Sequence, residues 1–396
     1  MRVLAFTDYV YRRIDGTLYG ERAFALFLAA LSPHFEELTI AGRLDPNTGP
    51  THYPLPPSVR FAALPHYESL TRPLAVASSL VRSVRRFWTA LGDADAAWIL
   101  GPYPHSVAFA ILTLVRRRRL VLGVRQDFPA YVRSRRPTRR WMHWAADALE
   151  LSWRLLARLS AVIVVGPELE QHYRHAPELL RIAVSLISAA DVAAGERAAD
   201  RAYDGELQVL SVGRIDREKN PLLLADILAE LRARDSRWRM VICGEGPMSE
   251  VLSERLERLG QTEHVDVRGY VPIHGGLLDL YRSSHVFLHV SLTEGMPQVL
   301  IEAFASGLPV VATAVGGVPA AAGNAALLIG ADDAEAAVAA LQRIADEPEL
   351  RQALITAGLA AARDQTLERE AVRVAGFIMG AETAPMPAEL PRTRGG

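Results

Sequence analysis

Two carboxylates and two cations carry most of the chemistry legible in this chain. Glu294 and Glu302 are separated by seven residues. Glu294 falls in a loop after the apolar run Val286–Val290. Glu302 falls on the second turn of a helix that Pro297 should open, because proline's fixed φ and missing N–H suit a helix start. Free N–H groups and a positive dipole end at such a start suit a phosphate. A carboxylate on each side of it can accept hydrogen bonds from sugar hydroxyls, one set on a ribose and the other on a hexose. Upstream, Arg214 and the only lysine, Lys219, lie between a strand, Leu207–Val212, and a helix that Asn220 can cap and Pro221 can begin. Two cations near a helix N-terminus make a diphosphate site. In isolation each pattern also has a plainer reading: a helix cap with a solvated glutamate, and two exposed loop cations.

The elements that must position these residues read as two α/β halves. In the first, strand-like residues 2–7 lead into an expected loop, Asp8–Glu21, carrying Gly16 and Gly20, and then a helix from Ala23 to Leu31. A strand, a glycine-bearing loop and a helix suit a Rossmann-like opening. Two further strands end at Gly101–His105 and at Arg125, Gln126 and Asp127. Open α/β sheets build their sites at strand carboxyl ends. Asp127 can there meet a hydroxyl, while His105 reads equally as a loop histidine after prolines. Residues 188–206 are rich in Ala, Asp and Gly without apolar periodicity and read as an interdomain linker. The second half begins with Leu207–Val212. Its loop–helix–strand stretch from Ser291 should stop its helix at Gly307 and turn at Gly316–Gly317.

The chain has 396 residues, enough for two or three domains, and half are hydrophobic. The single cysteine, Cys243, excludes an internal disulfide framework and reads as a buried small hydrophobe. The opening strand does not resemble a secretory leader, and no apolar stretch reaches the ~18 residues of a membrane span. A cytoplasmic protein is expected. Net charge is −1, yet residues 1–190 hold 24 arginines against 15 carboxylates, and the remainder 20 cations against 30. The excess is concentrated at Arg116–Arg119 and Arg133–Arg140, the latter followed by Trp141, Trp144 and Trp153. Arginines beside tryptophans suit an anionic membrane surface or a lipid-phosphate acceptor. The alternative is a solvated arginine face over core tryptophans. No nucleic-acid motif is present, and a nucleic-acid partner is not expected.

The stretch from Ser291 to Pro319, with its EGMP, EA-x-A-x-G and PVVAT-x-x-GG-x-P steps, resembles the donor-binding motif of the retaining GT-B glycosyltransferases of the large family four, the glycosyl transferases of group 1. The order VGR…EK-x-P-x-x-L and the GEGP at Gly244–Pro247 resemble the same family, as does Val267–Pro272. The resemblance is strong over residues 207–325 and loose over 1–190. It implies two Rossmann-like domains facing each other across a cleft, with a C-terminal helix crossing back to the first. The implied bounds are an acceptor domain 1–190, linker 191–206, donor domain 207–365, returning helix 366–383 and disordered tail 384–396.

Carried over by position, the resemblance gives Glu294 the transferred sugar, Glu302 the nucleotide ribose, and Gly295, Met296, Pro297 and Val299 the surrounding donor contacts. Gly213, Arg214 and Lys219 meet the leaving diphosphate. Gly244, Glu245, Tyr270 and Val271 fall toward the nucleotide, with Gly20 in the place of a glycine-rich loop that is here Tyr19–Gly20. The family's usual histidine after the strand Leu120–Val124 is replaced by Arg125, leaving Arg125, Gln126, Asp127 and His105 as acceptor-side candidates. Ala320 stands where the family often has glutamate. The implied reaction moves a sugar from a nucleotide-diphosphate sugar, a UDP-sugar or GDP-sugar by prior, to a hydroxyl with retention and without a metal. The arginine-rich first half favours an acceptor in lipid-linked or cell-surface glycan synthesis, at the inner face of the membrane. A soluble small acceptor, a sugar-nucleotide epimerase or phosphorylase, and a non-catalytic scaffold are the alternatives.

Overall fold

A computed structural model of the chain describes residues 1–47, 49, 53–67, 71–135 and 138–381. The tail expected at 384–396 and two positions of the Arg133–Arg140 run lie outside the described residues. Two parallel sheets, one in each half, carry the fold.

In the first half, Arg2–Ile14, Ala96–Gly101, Arg119–Val124, Ala161–Val165 and Glu178–Ile182 pair side by side in parallel. Their runs are apolar on both faces because helices cover both sides. Glu37–Leu44 and Arg60–Pro65 extend the sheet beyond the first strand. That first strand does not stop at Thr7. Its register slips between Phe6 and Val10, and the chain then continues to Ile14 and returns antiparallel as Thr17–Gly20. The expected loop over Asp8–Glu21 is thus a hairpin. Asp15 and Gly16 turn it with φ of 48° and 81°, the double positive φ that an Asp-Gly pair supplies to a tight hairpin between β-forming residues.

The second half stacks six parallel strands in the order Val265–Arg268, Trp238–Cys243, Leu207–Val212, Val286–His289, Val310–Thr313, Ala326–Ile329. This is the doubly wound order, with the topological switch beside Leu207–Val212. Cys243 is buried, and burial pushes its thiol up to about 11.

The segment expected as an irregular linker contains a helix, Ala189–Ala198. Ser188 and Asp191 form a reciprocal capping box at its start. Its apolar face is built from Ala, Val and Gly, too small to register as a periodic hydrophobic stripe. It packs against Gln298–Ala305 and Pro348–Asp364, and Gly195 makes the approach possible. A Cβ there would lie 1.9 Å from the Ala305 carbonyl oxygen.

The last helix, Leu367–Met379, buries Ala371, Val374, Ala375 and Ile378 in the core of the first half. Buried Glu370 pairs with Arg373 and accepts a hydrogen bond from the Ala183 N–H at 3.2 Å. The chain therefore passes between the halves twice, and the passages touch: Leu367 N–H donates to the Ile187 carbonyl at 2.7 Å, and Ala189 N–H to Glu368 at 3.1 Å.

Gly195→Ala should lower unfolding stability by about 1–3 kcal/mol, since the added methyl meets backbone rather than a yielding side chain. Denaturant midpoints at constant m-value measure this; an unchanged midpoint would contradict the packing described.

Candidate active site

The carboxyl ends of the two sheets face each other across a cleft of about 950 Å³. Its walls include Arg125, Gln126, Asp127 and Tyr131 from the first half, and Arg214, Lys219, Glu294 and Gly295 from the second. A second cavity of about 840 Å³, lined mainly by the first half, adjoins it and shares Arg125, Gln126, Tyr131, Arg135 and Arg214. A larger groove of about 1170 Å³ runs between Arg60–Pro65 and the helix Pro73–Gly92, away from the strand ends that hold the charged residues.

Glu294 is the centre of the first cleft. Lys219 Nζ forms an ion pair with its Oε1. Ser291 Oγ donates to the same oxygen at 2.8 Å, and His289 Nε2 lies 2.8 Å away at an angle short of a hydrogen bond. Burial works to raise the carboxyl's pKa, but the contacts with His289 and Lys219 outweigh it and hold the group at about 2. The backbone is equally constrained. Gly317 N–H donates to the Glu294 carbonyl at 3.2 Å, and a Cβ on Gly316 would stand 1.9 Å from that oxygen. Leu292 N–H donates to the Glu218 carbonyl at 2.8 Å, tying this loop to the one that carries Lys219.

Arg214 is half exposed and held by Asp216 at 2.5 Å and Glu218 at 3.0 Å. Asp216 also accepts from the N–H groups of Glu218 and Lys219, shaping the short turn Arg217–Lys219 before the helix Pro221–Arg234. Glu218 reaches across the cleft to Arg135 at 3.4 Å.

Glu302 lies on Gln298–Ala305 and is removed from Glu294 by the turn at Pro297, which sits at the cap rather than inside the helix. Burial pushes its carboxyl up to about 7, against the hydrogen bond it accepts from Tyr281 at 3.0 Å. Glu245 accepts from the Tyr270 N–H at 3.2 Å, and the Tyr270 hydroxyl bonds Tyr53 of the first half. Val271 and Val299 pack against the core beneath, and Gly244 N–H binds the Arg268 carbonyl at 3.0 Å.

The first half sorts the remaining candidates. Arg125 lies in both cavities, stacked over the Phe24 ring at 4.2 Å and hydrogen-bonded to the Tyr9 hydroxyl. Gln126 is exposed in the cleft. Asp127 accepts from the Ala130 N–H at 2.8 Å, so in this structure it starts the helix Phe128–Arg135. His105 is not at the cleft. It is 1% exposed in the first turn of Pro104–Val115, stacked on Tyr67, with burial lowering its pKa to about 4. Gly20 ends the hairpin and packs on Ala25; the residues facing the second cavity here are Glu21–Phe24.

Several residues around the site were not expected from sequence. His289 sits in an apolar strand, where a lone polar side chain at the carboxyl end was its only signal. Ser291 and Tyr281 carried none. In the second cavity, Asp8 accepts from Tyr67 at 2.5 Å and pairs with Arg43 at 3.4 Å. The hairpin creates this cluster by carrying the chain past Asp8 inside the sheet.

Residues 194–360 match the family model described as glycosyl transferases group 1. Among curated relatives, a D-inositol 3-phosphate glycosyltransferase from Saccharomonospora viridis is 33% identical over 205 residues, covering 48% of each chain. The gpi3 subunit of phosphatidylinositol N-acetylglucosaminyltransferase from Schizosaccharomyces pombe is 35% identical over 113 residues, covering 28% of this chain and 25% of the relative. The matches thus span a quarter to a half of these relatives. Solved structures cover nearly everything: sucrose-phosphate synthase from Thermosynechococcus elongatus aligns with TM-score 0.68 at 19% identity over 96% of this chain and 99% of its own. Anabaena HepE in complex with UDP aligns with TM-score 0.68 at 15% identity, over 96% and 100%. The fold is the two-domain GT-B fold.

Glu302 generates a pH test. With a carboxyl moved from 4.5 to about 7 by folding, the folded state holds a proton that the unfolded state releases. No penalty exists below pH 4.5; stability is lost as pH rises from there to 7, by about 3 kcal/mol. Glu302→Gln should remove that part of the decline, seen as a flatter unfolding free energy over this window. Parallel curves for the two proteins would contradict it.

Proposed function

We propose that this chain transfers a sugar from a nucleoside-diphosphate sugar to a hydroxyl acceptor, with retention at the anomeric carbon and without a metal. The observation that carries this reading is the convergence of Glu294, Lys219 and Arg214 at one sheet's carboxyl edge, opening on a cleft shared with the other half. The relatives named above are glycosyltransferases, and one structural neighbour was solved with UDP.

In this reading the diphosphate displaces the carboxylates that hold Arg214 and shares Lys219 with Glu294. The C1–O bond to the diphosphate breaks as the acceptor oxygen bonds C1 on the same face. The acceptor proton passes to the departing diphosphate oxygen, giving a glycoside and a nucleoside diphosphate. Arg214 and Lys219 stabilise the charge that develops on the leaving group. Glu294, kept ionised down to about pH 2 by its surroundings, accepts hydrogen bonds from the sugar and fixes its orientation. Glu302 accepts from the ribose hydroxyls.

The acceptor is proposed to be lipid-borne and met at an anionic membrane surface on the cytoplasmic side. No helix among the described residues is long and apolar enough to cross a membrane, so contact would be peripheral. The supporting surface is formed by Pro73–Gly92, Pro104–Val115 and Arg140–Ala157, which pack side by side. It exposes Leu74, Val81, Val115, Trp144 and Leu155 among the exposed arginines Arg82, Arg85, Arg117, Arg140 and Arg158. Trp153 is instead buried in the core. The helix Phe128–Arg135 joins this surface to the cavities, packing Phe128 and Val132 on Ala146 while Tyr131 lines both.

Glu294→Gln and Lys219→Ala should each lower transfer by at least about a hundredfold, the loss seen when a charge-stabilising group is removed. Circular dichroism should show retained fold, although Lys219→Ala leaves a buried charge unpaired and should also cost on the order of 3 kcal/mol. Release of UDP or GDP from its sugar conjugates in a membrane extract measures the activity; full activity in either variant would sink the assignment, and a loss on adding EDTA would sink metal independence. Vesicles containing anionic lipid should bind the chain at low salt and release it as salt rises. Binding that ignores salt, or Trp144→Ala with Arg140→Ala binding as the parent does, would remove the membrane surface.

A further inference from the structure

Most charged residues of the two cavities are answered by an opposite charge. Lys219 pairs with Glu294, and Arg214 with Asp216 and Glu218. Arg135 pairs with Glu218 at 3.4 Å, Arg43 with Asp8 at 3.4 Å, and Arg22 with Glu21 at 3.9 Å. Arg125 is the exception among the half-buried cations there: no carboxylate pairs with it among the described residues. Its Nη1 donates to the Tyr9 hydroxyl, its Nε is buried with no partner, and its plane lies over the Phe24 ring at 4.2 Å and 5.8 Å from the Tyr9 ring.

Such a placement is costly unless something repays it. A guanidinium loses hydration when it is seated between rings, and cation–π attraction recovers part of that. Those rings also fix its orientation, so its remaining donors present a preset fork suited to a planar or tetrahedral anion. The fork sits where the cleft holding Glu294 and the first-half cavity meet, since Arg125 lines both. The first-half cavity around it contributes aromatic walls, Tyr9, Phe24, Tyr103 and Tyr131, and its carboxylates Asp8 and Glu21 are paired with Arg43 and Arg22. In the adjoining cleft Asp127 and Glu168 are exposed, and Asp127 is turned to its own helix.

We propose that Arg125 is the anion-holding residue of the acceptor site: the acceptor carries a phosphate or carboxylate close to the hydroxyl that receives the sugar. This rests on the glycosyl-transfer reading above. Arg125 is then a specificity residue, choosing acidic over neutral acceptors. It fixes the anion at the boundary between the cavities, so the hydroxyl beside it is presented toward Glu294 and the donor.

The test uses the full chain saturated with UDP or GDP, whichever raises its melting temperature more, so that the diphosphate site is filled. Glucose 6-phosphate, glucuronate and glucose are then titrated calorimetrically. The expected result is that one or both acidic sugars bind at least tenfold more tightly than glucose; which of the two prevails separates phosphate from carboxylate. Arg125→Gln should erase the preference, and Arg125→Lys should keep part of it, with nucleotide affinity unchanged in both. Equal binding of acidic and neutral sugars by the parent, or an undiminished preference in Arg125→Gln, overturns the proposal. So does a selective loss of UDP-glucuronate over UDP-glucose in Arg125→Gln, which would assign the anion to the donor sugar. Absence of any nucleotide effect on melting counts against the glycosyl-transfer reading itself, and is thereby distinguished from failure of the acceptor assignment.

Discussion

A carboxylate taken out of water must be met by positive charge and hydrogen-bond donors, and the second half is arranged around that requirement at Glu294. Lys219 comes from the loop after one strand, His289 from the end of the neighbouring strand, and Ser291 from the loop between. Lys219 and Ser291 are thereby fixed to one oxygen, with His289 lying against it. Break the carboxylate and the loops lose their common anchor; remove the cation and a charge is stranded, which proteins tolerate poorly. The same contacts keep Glu294 ionised at any physiological pH. Structural necessity and chemical readiness are here the same interaction.

Glu302 is the contrasting case. Among the described residues no cation pairs with it; Tyr281 donates to it, and burial raises its pKa to about 7. Two glutamates eight positions apart in sequence therefore titrate about five pH units apart. Burial pushes both upward; the contacts with His289 and Lys219 reverse it at Glu294, while at Glu302 burial prevails, and this divides labour between them. One is a permanent anion within a charged cluster. The other is balanced close to neutrality and becomes a good acceptor when hydroxyl donors reach it.

Much of the second half could be read from sequence because its signals are local. Pro297 and Gly307 bracket a helix found at Gln298–Ala305, and Pro221 opens another at Pro221–Arg234, although Asn220 is left-handed and donates its side chain to Asp332 instead of capping it. The partners of Glu294 were less legible, since His289 reads as one more residue of a buried strand until the neighbouring loop is folded over it. The first half resisted for a different reason. The register slip after Phe6 depends on pairing with Glu37–Leu44, which is remote in sequence. Without it Asp8, Arg43 and Tyr67 have no reason to be associated. The helix Ala189–Ala198 was hidden because it is built to be approached closely, and residues small enough for that leave no hydrophobic stripe.

The double passage between the halves has a mechanical meaning. A single flexible connection would let two domains twist, tilt and slide. Here Ile187 and Leu367 are hydrogen-bonded where the outgoing and returning segments run together, and Leu367–Met379 is rooted in the opposite core. Two tethers fastened at one point act as a hinge pin. Translation and free rotation are suppressed, and the softest remaining motion is a swing about that pin. Such a swing acts on the contacts that bridge the halves elsewhere, Arg135 with Glu218 and Tyr53 with Tyr270.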